Sequence, residues 1–350
     1  MIKLVSNTKT HMKCLKLDLN ESYHFLNDKI IEELKHFDRR TISTYPEYGP
    51  LTTEIAKYAG CRAEQIFLTN GSDQAIELLL RLFFKSGDEV AIPAPTFFVY
   101  FSILKLIGAK PKVLLYEAIG NTFKFPAEKT LKALTTKSKG LLLCNPSNPL
   151  GSLIAQEQII RLLDKAKKLK IPVVIDEAYF EFSGQTSVKL LNKYPNLVII
   201  RSFSKAFGVA GLRLGYVLAN PEVIKRLAPL RLPWAINHFA VHAGKVVLRH
   251  QKYFRGKINE VLETKKKLAQ SFREQGIICY DTATNFLTIN VPKAKELVGK
   301  FRSAGIIVNE ISHYPYADPL LKNGLRLTVP AASDLDYLLK VCYGYKNHES

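Results

Sequence analysis

Long apolar runs are missing from this 350-residue chain. No stretch approaches the ~20 consecutive apolar residues needed to cross a bilayer, so a helical membrane span is excluded. The opening stretch, "MIKLVSNTKTHMKCLKLD", lacks the apolar h-region and small-residue cleavage site of a secretory signal. A cytoplasmic location is therefore expected. Cysteine pairs are missing as well. The five cysteines (Cys14, Cys61, Cys144, Cys279, Cys342) are odd in number and scattered, and none has metal-site spacing. That excludes a disulfide framework and reads as reduced, mostly structural thiols; no metal site is expected. There is no internal repeat, low-complexity tract or Pro/Ser-rich linker.

Acidic residues are scarce, 31 Asp and Glu against 50 Lys and Arg, for a formal net charge of +19. The basic excess is spread along helical patterns such as "RLLDKAKKLK" and "ETKKKLAQSFRE" and is not gathered in a tract interleaved with aromatics. Spread charge describes solvated helix faces that attract anionic ligands as a secondary effect. Nucleic acid is not expected as a partner.

What is present is an ordinary globular balance, 47% hydrophobic and 23% charged, in a length suited to two domains. From about residue 66 to 220, short β-branched runs such as "VVID" and "LVII" alternate with helical patterns. Runs of this kind fit strands buried on both faces with helices as crossovers, hence a mostly parallel sheet in an α/β domain. Asn70, Pro95, Asn145, Asp176 and Ser202 all stand where an apolar run ends. Active residues in such sheets gather at the carboxyl ends of strands, so these positions point to one shared site. A long helical pattern near 252–275 precedes a strand, helix, strand, strand, helix series, which suggests a smaller α+β domain. The expected division is an N-terminal segment (1–45) packing on the small domain, a large domain (46–250) and a small C-terminal domain (251–350).

Five stretches carry polar residues with chemical potential. "TNGSDQ" opens a helix, and its free amides at Gly71, Ser72 and Asp73 suit a phosphate; Ser72 or Asp73 could equally be an ordinary cap. "VVIDEAYF" places Asp176 and Glu177 after a buried strand, with Tyr179 close behind. Asp176 there could bind a metal, act as a base, hold a proton on a heteroaromatic nitrogen, or simply cap a helix. "CNPSNPLG" is a rigid loop, because residues before proline avoid the α region, and it presents Asn148. "RSFSKAFGVAGLRLGY" sets Lys205 among Ser202, Ser204 and Arg213, either as a nucleophile beside an anion site or as a surface lysine. Arg326, in "GLRLTV", is either a snorkelling surface residue or a bidentate carboxylate ligand.

Taken together and in this order, "NPSNPLG", "IDEAYFEF" and "RSFSKAFGVAGLRLGY" resemble the fold-type I pyridoxal-phosphate enzymes, the aspartate aminotransferase superfamily. Within it the chain resembles the histidinol-phosphate aminotransferase branch, from about "LNES" to "GLRLTVPAAS". "RLPWAIN" and "RSFSKAFGVAGLRLGY" are also similar to the threonine-phosphate decarboxylase branch. The resemblance implies pyridoxal 5'-phosphate as cofactor, with Lys205 as the lysine that forms its Schiff base. It implies Ser202, Ser204, Arg213, Gly71, Ser72 and Asp73 as phosphate ligands and Asp176 as partner of the pyridine nitrogen. Tyr179 and Asn148 match the groups on the phenolic oxygen, and Phe97 matches the aromatic stacked on the ring. Tyr45 matches the tyrosine that reaches the phosphate from the partner of a homodimer. Arg326 matches the arginine that clamps a substrate α-carboxylate, and Asn20 sits near the substrate. The implied reaction is amino-group transfer between an amino donor and a 2-oxo acid, with decarboxylation of a phosphorylated amino acid as the alternative.

Three departures from the family pattern stand out. Leu150 replaces the threonine of the usual loop, Phe97 lacks a tyrosine hydroxyl, and "LNESYHFLND" departs from a fuller Asn-Glu-Asn-Pro segment.

Overall fold

The β-branched runs do form strands. The computed structural model describes residues 14–346. Residues 1–13 and 347–350, the outer parts of the expected N-terminal segment and C-terminal domain, lie outside them. Seven strands, β1 (Ile66–Asn70), β2 (Glu89–Ala94), β3 (Lys110–Leu115), β4 (Ser138–Cys144), β5 (Val173–Asp176), β6 (Leu197–Ser202) and β7 (Leu214–Ala219), build one sheet. Their spatial order is β1-β7-β6-β5-β4-β2-β3. All are mutually parallel except β7, which runs antiparallel to both β1 and β6.

Period-two alternation divides each strand between two cores. Leu141, Leu143, Ile175 and Ile199 enter one. Leu142, Val174, Val198 and Ile200 enter the other. Each fully buried Leu, Ile or Val contributes roughly 1.5–3 kcal/mol, which is why both faces must be covered by helices. Helix α1 (Gly71–Phe83) does so by burying Ile76, Leu79 and Leu80. Helix α2 (Val99–Ile107) joins it on that face with Tyr100, Ile103 and Leu104.

A second sheet of four antiparallel strands follows: β8 (Ile278–Tyr280), β9 (Phe286–Asn290), β10 (Asn309–Glu310) and β11 (Gly324–Thr328), ordered β8-β9-β11-β10. The 24-residue helix α3 (Gln251–Glu274) leads into it. Its own core gathers Leu268 and Phe272 of α3 with Leu287, Ile289, Leu325 and Leu327. Leu15 and Leu17 join that core, and Leu15–Lys16 pairs in parallel with Ile306–Ile307. Residues 15–17 thus lie against the second sheet, whereas Phe25 and Ile30 join the core of the first.

All five cysteines are free. Burial pushes the Cys279 and Cys342 thiols up to about 12, which makes them inert packing residues. Among the described residues no helix is long and apolar enough to cross a membrane.

Candidate active site

Where the parallel strands end, alternation decides which polar side chains share a space. Cys144 and Asp176 close β4 and β5 as register partners, and Ser202 closes β6. The second sheet works the same way. Leu325 and Leu327 turn into its core, so Arg326 between them faces the opposite side, beside its register partners Thr288 and Asn309. The two sheets thereby enclose a cleft of about 400 Å3. It is lined by every residue to which the family resemblance gives a role except Gly71, which opens the helix behind it, and Tyr45; Asn70, Pro95 and Asn145, expected there from their strand ends, and Glu177 do not line it.

One end of the cleft is an anion cradle. No side chain caps α1, so neither Ser72 nor Asp73 acts as a cap. Its first amides point outward with the helix dipole behind them. Gly71 has φ 72°, and a Cβ there would collide with the Arg213 guanidinium. Gly215 is required for the same reason: a Cβ would lie 2.6 Å from the Gly71 carbonyl carbon. Arg213 bonds Asp73 at 2.8 Å and Ser204 Oγ at 3.4 Å, and the Ser204 amide donates to Ser202 Oγ at 3.1 Å. An uncapped helix start, a guanidinium and two hydroxyls suit a phosphate monoester.

In the middle of the cleft, Asp176 is buried. Its Oδ2 accepts from the Tyr100 hydroxyl at 2.6 Å and its Oδ1 from the Ala178 amide at 2.9 Å. Burial pushes its carboxyl up to about 6, opposed by those two donors. A cationic N–H partner would restore the carboxylate. Lys205 Nζ donates to the Leu19 carbonyl at 2.8 Å. Desolvation, then the charge of Arg326, push that amine down to about 8. Tyr179 accepts from Asn20 Nδ2 at 2.8 Å, and burial raises its phenol so that it stays protonated. Asn20 is itself held by Thr328 and Asn285, at φ 56°. Phe97 is partly buried on the cleft wall, edge-on to Tyr100.

At the other end, Arg326 is 3% exposed. Its Nη1 donates to Asn148 Oδ1 at 2.6 Å and its Nη2 to the Asp18 carbonyl, while the buried Nε has no partner. With its oxygen engaged, Asn148 keeps its amide hydrogens available. An orphaned guanidinium N–H is costly unless an oxyanion meets it.

The snorkelling reading of Arg326 and the surface reading of Lys205 are thus both displaced. Leu150 is fully buried in the core, so the missing threonine hydroxyl is exchanged for packing. Tyr45 stands apart, 70% exposed and stacked on Trp234 at 4.1 Å. Sequence reasoning missed Phe98 and Tyr314, which complete the aromatic wall, and Tyr100, which is buried behind it and holds Asp176. Tyr100 had one available signal, its place one helical turn after Phe97. His238 and His242 are spaced one turn apart, but the Nε2 of His242 is taken by the Glu33 carbonyl at 2.9 Å. Among the described residues no three His, Cys, Asp or Glu side chains cluster as metal ligands would.

The aminotransferase class I and II family model matches residues 12–342. A curated histidinol-phosphate aminotransferase from a Thermoanaerobacter species is 33% identical over 329 residues, covering 93% of this chain and 91% of that protein. The crystal structure of histidinol-phosphate aminotransferase from Sinorhizobium meliloti, in complex with pyridoxal-5'-phosphate, superposes with a TM-score of 0.84 at 21% identity, covering 95% of this chain and 91% of that one. L-threonine-O-3-phosphate decarboxylase from Porphyromonas gingivalis superposes at 0.80 with 24% identity, covering 95% and 99%. At these identities the two structures speak to the shared fold.

Proposed function

Because the chain belongs to the class I and II aminotransferase family, we propose that it binds pyridoxal 5'-phosphate in this cleft. The proposed reaction moves an amino group between a histidinol-phosphate-like donor and a 2-oxo acid. The observation that carries the reading is one amine of lowered proton affinity, Lys205, set in a cleft that holds an anion cradle and a desolvated arginine with an orphaned N–H. When bound, pyridoxal phosphate supplies an aldehyde that captures amines and a ring that draws electron density from the donor carbon.

The chain's own residues have defined work. Gly71, Ser72 and Asp73 amides, Ser202, Ser204 and Arg213 would hold the phosphate. Asp176 would accept the ring N–H, kept in place by Tyr100 and Ala178. Asn148 and Tyr179 would hydrogen-bond the phenolic oxygen, and Phe97 would stack on the ring. Near neutral pH part of the Lys205 amine is unprotonated, so it can take the proton from the donor Cα and return it. Arg326 would grip an oxyanion, the carboxylate of the 2-oxo acid or the phosphate of the donor, with Asn20 beside it. A homodimer belongs to the same reading, with Tyr45 reaching the partner's site. Its support is the exposed apolar surface of Tyr45, Trp234, Ile42 and Leu232. We retain 1–45, 46–250 and 251–350 as working divisions, and a cytosolic location suited to five free thiols.

The test is a half-reaction screen of histidinol phosphate, threonine phosphate and glutamate, recording pyridoxamine phosphate and CO2 separately. Pyridoxamine phosphate formed from histidinol phosphate without CO2 is expected. CO2 release as the main event would replace transfer by decarboxylation. Lys205→Ala should lose both turnover and the borohydride-sensitive visible band; full turnover in that variant would sink the mechanism.

A further inference from the structure

Helix α3 carries three consecutive lysines, and the structure treats one of them differently. Lys266 and Lys267 face solvent, Lys266 paired with Glu263 at 2.7 Å. Lys265 turns inward and is 8% exposed. Its Nζ donates to two backbone carbonyls of one loop, Thr282 and Thr284, both at 2.6 Å. Among the described residues it forms no ion pair, and only the more distant Asp281 attracts it. Desolvation accordingly pushes its amine down to about 8. A buried ammonium without a carboxylate is expensive to keep, so what it holds is informative.

The loop it holds, 281–285, joins β8 to β9 and grips two segments of the cleft. The Ala283 amide donates to the Gly151 carbonyl at 2.8 Å. Gly151 has φ 72°, and a Cβ there would collide with the Thr282 side chain, so the two turns are in direct contact. From β9, Thr288 Oγ1 donates to the Pro149 carbonyl at 2.5 Å. Asn285 Nδ2 donates to the Asn20 carbonyl at 3.1 Å. These contacts dock the second sheet on the turn that immediately follows Asn148. Asn148, in the turn that follows β4, and Arg326, in β11 of the second sheet, meet at 2.6 Å. That distance depends on the docking.

We propose that Lys265 is a positioning residue, which by clamping the Thr282–Thr284 loop onto the Pro149–Gly151 turn sets the Asn148–Arg326 geometry that grips the substrate's anionic group. The inference rests on the reading of the cleft given above. Lys265 touches neither cofactor nor substrate. It acts by fixing the backbone that carries the groups that do, where a displacement of about 1 Å is enough to change rates and affinities by an order of magnitude or more.

The test compares cofactor-loaded wild type with Lys265→Met, Lys265→Arg and, as a neighbouring control, Lys266→Met. Calorimetry measures binding of succinate, a non-reacting dicarboxylate probe for Arg326. Kinetics give KM for the 2-oxo acid and kcat, and the visible band reports cofactor retention. In Lys265→Met, succinate affinity should fall and KM rise by about tenfold, with kcat changed less and cofactor retained. Lys265→Arg should recover most of the loss, and Lys266→Met should match wild type. If Lys265→Met does not fold, Thr288→Val cuts the same clamp at Pro149 and should produce the same KM rise. A lowered Tm with unchanged KM and succinate affinity, in either variant, overturns the positioning role. If wild type binds cofactor but no succinate, the reading of Arg326 fails instead, and the inference with it.

Discussion

Two neighbouring pairs of polar side chains stand where β5 and β6 end, and the fold treats them oppositely. Glu177 and Arg201 are almost wholly inaccessible, and every contact they need is present. Glu177 Oε2 accepts from Arg201 at 3.0 Å and from Thr186 at 2.8 Å, and its Oε1 accepts from the Ser187 amide at 2.6 Å. The Arg201 guanidinium also lies 3.7 Å over the Phe180 ring. One residue away along the same chain, Asp176 and Ser202 turn into the cleft, where Asp176 has two donors and no cation. Lys205 there has one carbonyl, and Arg326 an orphaned Nε. A saturated buried pair is structure, because nothing further can be added to it. An unsaturated one is kept for a ligand, since leaving buried polar groups unmet is costly otherwise.

Three variants would break or sharpen this contrast. The largest effect should come from Arg201→Met, which strands Glu177 as an unpaired buried carboxylate. Removing one partner of such a pair costs about 3–5 kcal/mol, to be read by denaturant unfolding. A loss below about 1 kcal/mol would mean that the pair is not the closed unit described. Next, Asp176→Asn should lower kcat about 100-fold or more, because a preorganised charge is removed from the cleft. Stability should not fall, since the variant relieves the burial that raises the Asp176 carboxyl. Equal damage to folding and catalysis would erase the distinction between the two faces.

The smallest effect concerns Glu181, which lies against the saturated pair. It accepts from the Tyr58 hydroxyl at 3.2 Å, but its buried Oε2 has no partner. Burial pushes its carboxyl up from 4.5 to about 8. A carboxyl whose folded pKa is raised stabilises the fold fully below its unfolded value, and that contribution is lost as pH rises from 4.5 towards 8. Glu181→Gln should therefore gain on wild type as the pH rises from 5 to 8, seen as a higher Tm at the alkaline end. A pH-independent difference would show that Glu181 is already ionised at pH 5.

Much of this was legible in one dimension. The β-branched runs announced buried strands, and the polar residues ending them announced a site at the carboxyl edge of the sheet. "RSFSKAFGVAGLRLGY" held lysine, serines and arginine together, and the cleft keeps them together. The long pattern near 252–275 became the helix Gln251–Glu274. Other features were invisible for physical reasons. Tyr100 reads as one more apolar position on an aromatic-rich helix, and only its packing beneath the sheet brings its hydroxyl to Asp176. Lys265 reads as one of three solvated lysines, because helix phase alone does not say which of them faces a loop some 17 to 19 residues further along. Nothing in "IDEAY" says that Asp176 stays open while Glu177 is sealed by an arginine 24 residues away.

Local pattern therefore determined the elements, the strand ends and the types of chemical group available, because propensity and alternation act between near neighbours in the chain. Tertiary structure decided which groups met. Arg326 reaches Asn148 across 178 residues, and Arg213 reaches Asp73 across 140. It also decided which charges were left unsatisfied, since burial and desolvation arise only when distant segments close over one another.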